Sequence, residues 1–203
     1  MLSDLAGSHH ASHGVGRGTM VGVARTWLSI RVELVEGRGA TCWPRPGRVF
    51  AAAKSHTFAD LAEAIDDAFG RWDRNHLHEF ALADGTRLGV PDPDWDDDEP
   101  DSLLDDGGVK LSSLERGDHF VYTFDLGDDW AHVGAVGDRW IDPVDELGFV
   151  PEAPQPYWGW GEIPDQYGRR WESDDGDSKA PPDPELTDLP PLRPGWGPRG
   201  RSS

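Results

Sequence analysis

One stretch of this chain reads clearly as a helix, and the patterned segments around it alternate with the period of a strand. That combination confines the fold to a sheet with a helix laid over one face. Phe58, Leu61, Ala62, Ile65, Ala68 and Phe69 recur at spacings of 3, 4 and 7 and so line one helical face. Thr57 is placed to cap the helix, with Asp60 as its capping-box partner, and Gly70 supplies the C-terminal stop. Ahead of the helix, Leu28, Ile30, Val32 and Leu34 alternate with Ser29, Arg31 and Glu33, the pattern of a half-buried strand. Gly37, Gly39, Pro44, Pro46 and Gly47 then form a turn-rich connection, and Arg48 to Ala53 is expected to return as an antiparallel strand.

Two hairpins are expected after the helix. His76 to Leu82 and Thr86 to Val90 flank Ala83-Asp84-Gly85, where Asp-Gly favours the positive φ of a tight turn. His119 to Asp125 and Asp129 to Val136 flank Leu126-Gly127-Asp128, with Phe120, Tyr122 and Phe124 on one face. Between the hairpins lies an acidic loop, Asp92 to Asp106, then Val109, Leu111 and Leu114, which suit one docked helical turn. The order predicts a single α+β domain over 27–147: an antiparallel-rich sheet of about six strands, one main helix on one face, in a β-grasp-like arrangement.

Composition sets the limits of that domain and of its partners. Residues 1–26 lack hydrophobic periodicity and are expected to be a disordered tail; Met20, close to the first strand, is an alternative translation start to Met1. His9, His10 and His13 in that tail read as mobile residues rather than metal ligands. Residues 148–203 form a Pro- and Trp-rich extension. Tyr157, Trp158, Trp160, Ile163, Tyr167 and Trp171 are costly to leave in water, so the extension is expected to pack as an irregular strap to about residue 172 and to be disordered beyond. The Leu189-to-Pro194 run reads as plain extended chain.

The chain has 38 acidic and 19 basic residues, a formal charge of -19, with the excess in the middle domain. Such a surface repels phosphate backbones, which argues against direct nucleic-acid binding. No stretch approaches a membrane helix, Cys42 is the single cysteine, and no apolar run resembles a signal peptide, so a cytoplasmic location is expected.

Candidate chemistry gathers in two segments, His76-Leu77-His78-Glu79-Phe80 and Phe124 to His132. In a strand His76 and His78 share a face, and with His132 or Asp129 they offer a set of metal ligands. The plainer reading buries His78 and bonds it to an acid such as Asp129, tying the hairpins together. The Gly127-Asp128-Asp129-Trp130 run has a turn explanation: Gly relaxes the turn, Asp bonds turn N–H groups, and Trp anchors the returning strand. A catalytic role for Asp128, Asp129 or Glu79 would require a cleft and a perturbed pKa. The acidic loop lacks the central Gly and terminal Glu of a calcium-binding EF-hand. No phosphate loop, serine elbow, Cys-x-x-Cys pair or nucleotide fingerprint occurs, and no cofactor is expected.

The helix, then His76-Leu77-His78-Glu79-Phe80, then Leu88-Gly89-Val90-Pro91-Asp92, then Phe124 to His132 resemble, in order and in motif, the plasmid pRiA4b ORF-3-like family. Its second motif usually reads Tyr-Asp-Phe-Gly-Asp-Asp-Trp-x-His; here Phe124 and Leu126 stand in two aromatic positions and Leu88 where Tyr is common. The resemblance covers roughly residues 27–137, and Tyr157 to Trp171 looks like a tail found in part of the family. It implies an association with plasmids and insertion-element passengers and carries no catalytic residues over. Its recurrent positions fall on His76, His78, Gly89, Pro91, Asp92, Gly127, Asp128, Asp129, Trp130 and His132.

The expected function is therefore a non-catalytic binding or accessory module for a protein or small ligand. Its expected polar pocket is made by His76, His78, Asp128, Asp129, Trp130, His132, Pro91 and Asp92. The alternatives are a small metal-dependent hydrolase using His76, His78 and His132 with Asp129 as ligand or base, and a nucleic-acid-associated regulator of transposition.

Overall fold

A computed structural model describes residues 26–91 and 103–169, which build one nine-stranded sheet and two α-helices. The strands are β1 (Trp27–Gly37), β2 (Ala40–Thr41), β3 (Gly47–Ala53), β4 (His78–Leu82), β5 (Arg87–Gly89), β6 (Leu104–Asp105), β7 (His119–Phe124), β8 (Trp130–Val136) and β9 (Gln155–Trp160). Helix α1 spans Phe58–Ala68 and helix α2 spans Pro143–Leu147. Across the sheet the order is β6-β5-β4-β7-β8-β1-β3-β9, with β2 also on β1. The pairings are antiparallel except β5 with β6.

The α+β architecture and both hairpins follow the expected pattern, but the sheet is larger than six strands. Strands β2 and β6 are two-residue pairings, too short to carry any period. Strand β9 comes from the extension expected to be an irregular strap, and it pairs with β3 from Ala51↔Gln155 to Gly47↔Trp160. A register shift at Val49/Phe50, together with Pro156 and Gly159, hides its alternation. The expectations for the N-terminal tail, the acidic loop from Asp92, Trp171 and the Leu189-to-Pro194 run lie outside the described residues.

Local chemistry explains the helix. The Thr57 hydroxyl accepts the Asp60 N–H at 3.1 Å while the Asp60 carboxylate accepts the Thr57 N–H at 2.8 Å, a reciprocal capping box. At the other end Gly70 takes φ 66°, and the Arg71 N–H donates to the Asp66 carbonyl at 2.8 Å. This reversal turns the chain back towards the sheet at Arg71, which is buried.

The face of α1 carrying Phe58, Leu61 and Ile65 packs on Leu28, Ile30, Val32, Leu34, Phe50, Phe80 and Phe120. Each such side chain, fully buried, contributes about 1.5–3 kcal/mol. On the opposite sheet face a smaller cluster of Trp27, Ala51, Ala53 and Ile141 forms, with Leu147 of α2 and Tyr157 of β9 packed against it. Beyond β9, residues 161–169 return across the hairpin ends. Gln166 anchors them: its side-chain oxygen accepts the Trp72 and Asp73 N–H groups at 2.9 and 3.0 Å, and its amide donates to the Asp73 carbonyl at 3.0 Å.

Candidate functional site

The Phe124-to-His132 segment is first a turn. Asp125, at φ 57°, accepts the Gly127 and Asp128 N–H groups on one carboxylate oxygen at 3.0 and 3.3 Å. Its carbonyl accepts the N–H of Asp129, itself at φ 51°. Asp is one of the few residue types that tolerate this left-handed region, because its short carboxylate bonds the local backbone. Asp128 reaches sideways: its carbonyl accepts the Arg38 N–H at 2.6 Å and its carboxylate lies 3.5 Å from Arg38 Nε. The β7–β8 turn is thereby fixed to the β1–β2 turn, a link the sequence reading does not anticipate.

The three histidines have different surroundings. His76, half-buried just before β4, contacts the Tyr167 hydroxyl through Nε2 at 2.7 Å; its Nδ1 lies 3.3 Å from the Asp125 carboxylate. Tyr167 in turn donates to Asp73 at 2.9 Å, so the returning segment and the hairpin ends share one polar junction. Loss of solvent, then the Asp73 hydrogen bond, pushes the Tyr167 hydroxyl up to about 12. His78 donates from Nε2 to Asp106 at 2.6 Å, not to Asp129 as the sequence suggests. Asp129 stands exposed at the turn with its N–H on the Asp125 carbonyl, whereas the Asp106 N–H donates to the Gly89 carbonyl, which fixes the buried Asp106 carboxylate beside β4.

His132 is fully buried, donates from Nδ1 to the Tyr122 carbonyl at 3.2 Å, and packs edge-on to Phe69 at 4.7 Å. Burial, and then the positive field of Arg71, lower its pKa to about 3, so it is neutral. Among the described residues no three His, Cys, Asp or Glu side chains stand where they could hold a metal ion. Pro91 is exposed beyond β5, Asp129 is exposed, and Asp92 lies outside the described residues.

Several residues that complete this region carry no signal in the sequence pattern. Asp66, buried on α1, accepts the Tyr122 hydroxyl at 2.9 Å. Burial raises its pKa to about 6, against the opposing pull of that hydrogen bond and of Arg74. Arg71 is 1% exposed and its guanidinium lies 3.7 Å from the centroid of Trp130. Arg48 is fully buried on β3; Nη1 donates to the carbonyls of Gly47 and Trp160 at 2.8 and 2.9 Å, and the guanidinium faces Phe69 at 5.8 Å. A buried Arg cannot be recognised from spacing, because position on the sheet face and not residue type decides its burial.

A solved structure of a protein of unknown function, MM3350 from Methanosarcina mazei Go1, is similar in fold. It is 22% identical, matches 68% of this chain and 71% of its own, and superposes with a TM-score of 0.51. A search of curated proteins returned no match. The family model described as plasmid pRiA4b ORF-3-like protein matches residues 27–146. That span takes in α1, both hairpins with the histidine and Asp-Asp-Trp motifs, and α2, and the chain therefore belongs to the plasmid pRiA4b ORF-3-like family.

Proposed function

We propose that the chain is a non-catalytic binding or accessory module whose recognition region is the polar junction at the hairpin ends. One observation carries this reading: the His76, His78 and Asp125 side chains of the motifs are committed to positioning the chain. Asp125 holds turn N–H groups, His78 is joined to Asp106, and His76 links Tyr167 to the hairpin ends. The junction presents Asp128, Asp129 and the half-exposed Trp72 and Leu126 to a protein or small ligand. The β-grasp likeness, a cytoplasmic setting and a role beside plasmid or insertion-element genes belong to the same reading; the family description supports the last of these.

The test is metal content and stability together. The full chain, expressed without a tag, is assayed by elemental mass spectrometry, and His78→Ala is compared in urea denaturation. The reading expects sub-stoichiometric metal and a variant destabilised by about 1–3 kcal/mol, from leaving buried Asp106 without its donor. Stoichiometric metal that is lost in the variant would favour the hydrolase alternative instead.

A further inference from the structure

In a chain of charge -19, two guanidiniums among the described residues lie in the core with no described carboxylate bonded to them. Arg48 is partly satisfied by two carbonyls. Arg71 is not: all three of its nitrogens are buried with no hydrogen-bond partner among the described residues, and the indole Nε1 of Trp130, on whose ring it lies, is also unpartnered. Burying a cation without a hydrogen-bond partner costs more than stacking on one indole returns. Nearby carboxylates do not close the gap. The Arg71 backbone N–H meets the Asp66 carbonyl, while the Asp66 carboxylate is taken by Tyr122 and lies 4.0 Å from Arg74. Asp165 is bonded to Arg169 and to the Trp72 indole. His132 offers nothing to an anion, since its Nδ1–H is used and Nε2 carries a lone pair.

We propose that Arg71, seated on Trp130, is the anchor of a buried site for a small carboxylate ligand, distinct from the polar junction at the hairpin ends. The class follows from the donors. A guanidinium presents a planar fork that matches a carboxylate with two parallel N–H···O bonds. The field of Asp66 offsets part of the Arg71 charge, but no carboxylate bonds its nitrogens, so the fork among aromatic side chains suits one small negative charge; a phosphate dianion would lose more hydration than one guanidinium returns. The lowered pKa of Arg71, about 10 through burial, leaves it charged at neutral pH and available to such a ligand.

The experiment is thermal unfolding of the full chain titrated with sodium formate and, separately, sodium chloride at matched ionic strength, in wild type, Arg71→Met and Arg31→Gln. A ligand held only by the folded state raises the midpoint with concentration. The expected result is a formate response that levels off, exceeds that of chloride, persists in Arg31→Gln and is lost in Arg71→Met. If Arg71→Met does not fold, the reading comes from saturable line broadening of 13C-formate by the wild-type protein, competed by acetate. Equal formate and chloride responses, no saturable response in the wild type, or a full response in Arg71→Met would each overturn the proposal.

Discussion

Two buried titratable side chains, Asp66 and His132, give the molecule opposing pH dependences. His132 stays neutral in the fold to about pH 3, whereas the unfolded chain takes up that proton near pH 6.5. Its contribution is therefore complete above pH 6.5 and drains as the pH falls towards 3, by at most about 1.4 kcal/mol per unit. Asp66 runs the other way. The fold keeps its proton up to about pH 6 and the unfolded chain releases it near 3.8, so this contribution is present below 3.8 and is lost as the pH rises through 6. Between pH 4 and 6 the two slopes oppose each other. Asp66→Asn removes one of them and is expected to lose roughly 2 kcal/mol more than wild type on going from pH 6 to pH 4. Urea denaturation at the two pH values measures this, and parallel losses in both proteins would refute it. The sequence discloses neither group as buried: Asp66 sits beside Asp67 on a helix that reads as amphipathic, and His132 reads as part of a polar site. Both are buried because their neighbours across the sheet and helix are aromatic, a property of register that spacing along the chain does not carry.

At the scale of elements, the sheet is locked by aromatic rings laid on glycines of neighbouring strands. A Cβ added at Gly134 in β8 would lie 2.1 Å from the Phe120 ring of β7, and one at Gly37 in β1 would lie 2.1 Å from the Trp130 ring of β8. Gly134→Ala is expected to destabilise the fold by about 1–3 kcal/mol, since the ring must move within a packed core. Thermal unfolding checks it, and an unchanged midpoint would show that Phe120 has room to shift. Helix α1, its capping box and the long strands were legible because each repeats one signal over many residues, as Leu28 to Leu34 and Phe58 to Phe69 do. The Asp-Gly turn was legible for a different reason: only a few residue types adopt the φ of 91° that Gly85 takes. The pairing of His78 with Asp106 was not, because it depends on a loop returning in parallel register with β5, and sequence separation says nothing about where such a loop lands.

Over the whole molecule, residues 148–169 are part of the fold. Gln166 is fully buried and its amide closes three hydrogen bonds to Trp72 and Asp73, so Gln166→Ala is expected to cost about 1–3 kcal/mol. Limited proteolysis should then cut near residue 166 before the sheet unfolds; cleavage kinetics identical to wild type would mean the segment is held by other contacts. The family match ends at residue 146, yet Trp160 of β9 rests on Gly47 and Tyr157 bonds Ser29 at 2.8 Å. Strand β9 also has a bearing on how this protein behaves in a crowded solution. It is the last strand of an open sheet among the described residues, the place where one copy's backbone can template another's. Pro156 withholds a backbone donor there and the register shift at Val49/Phe50 breaks the line of the strand, while the opposite end is the two-residue β6. Both margins are therefore poor seeds for stacking chain upon chain, and the sheet can stay open without inviting aggregation.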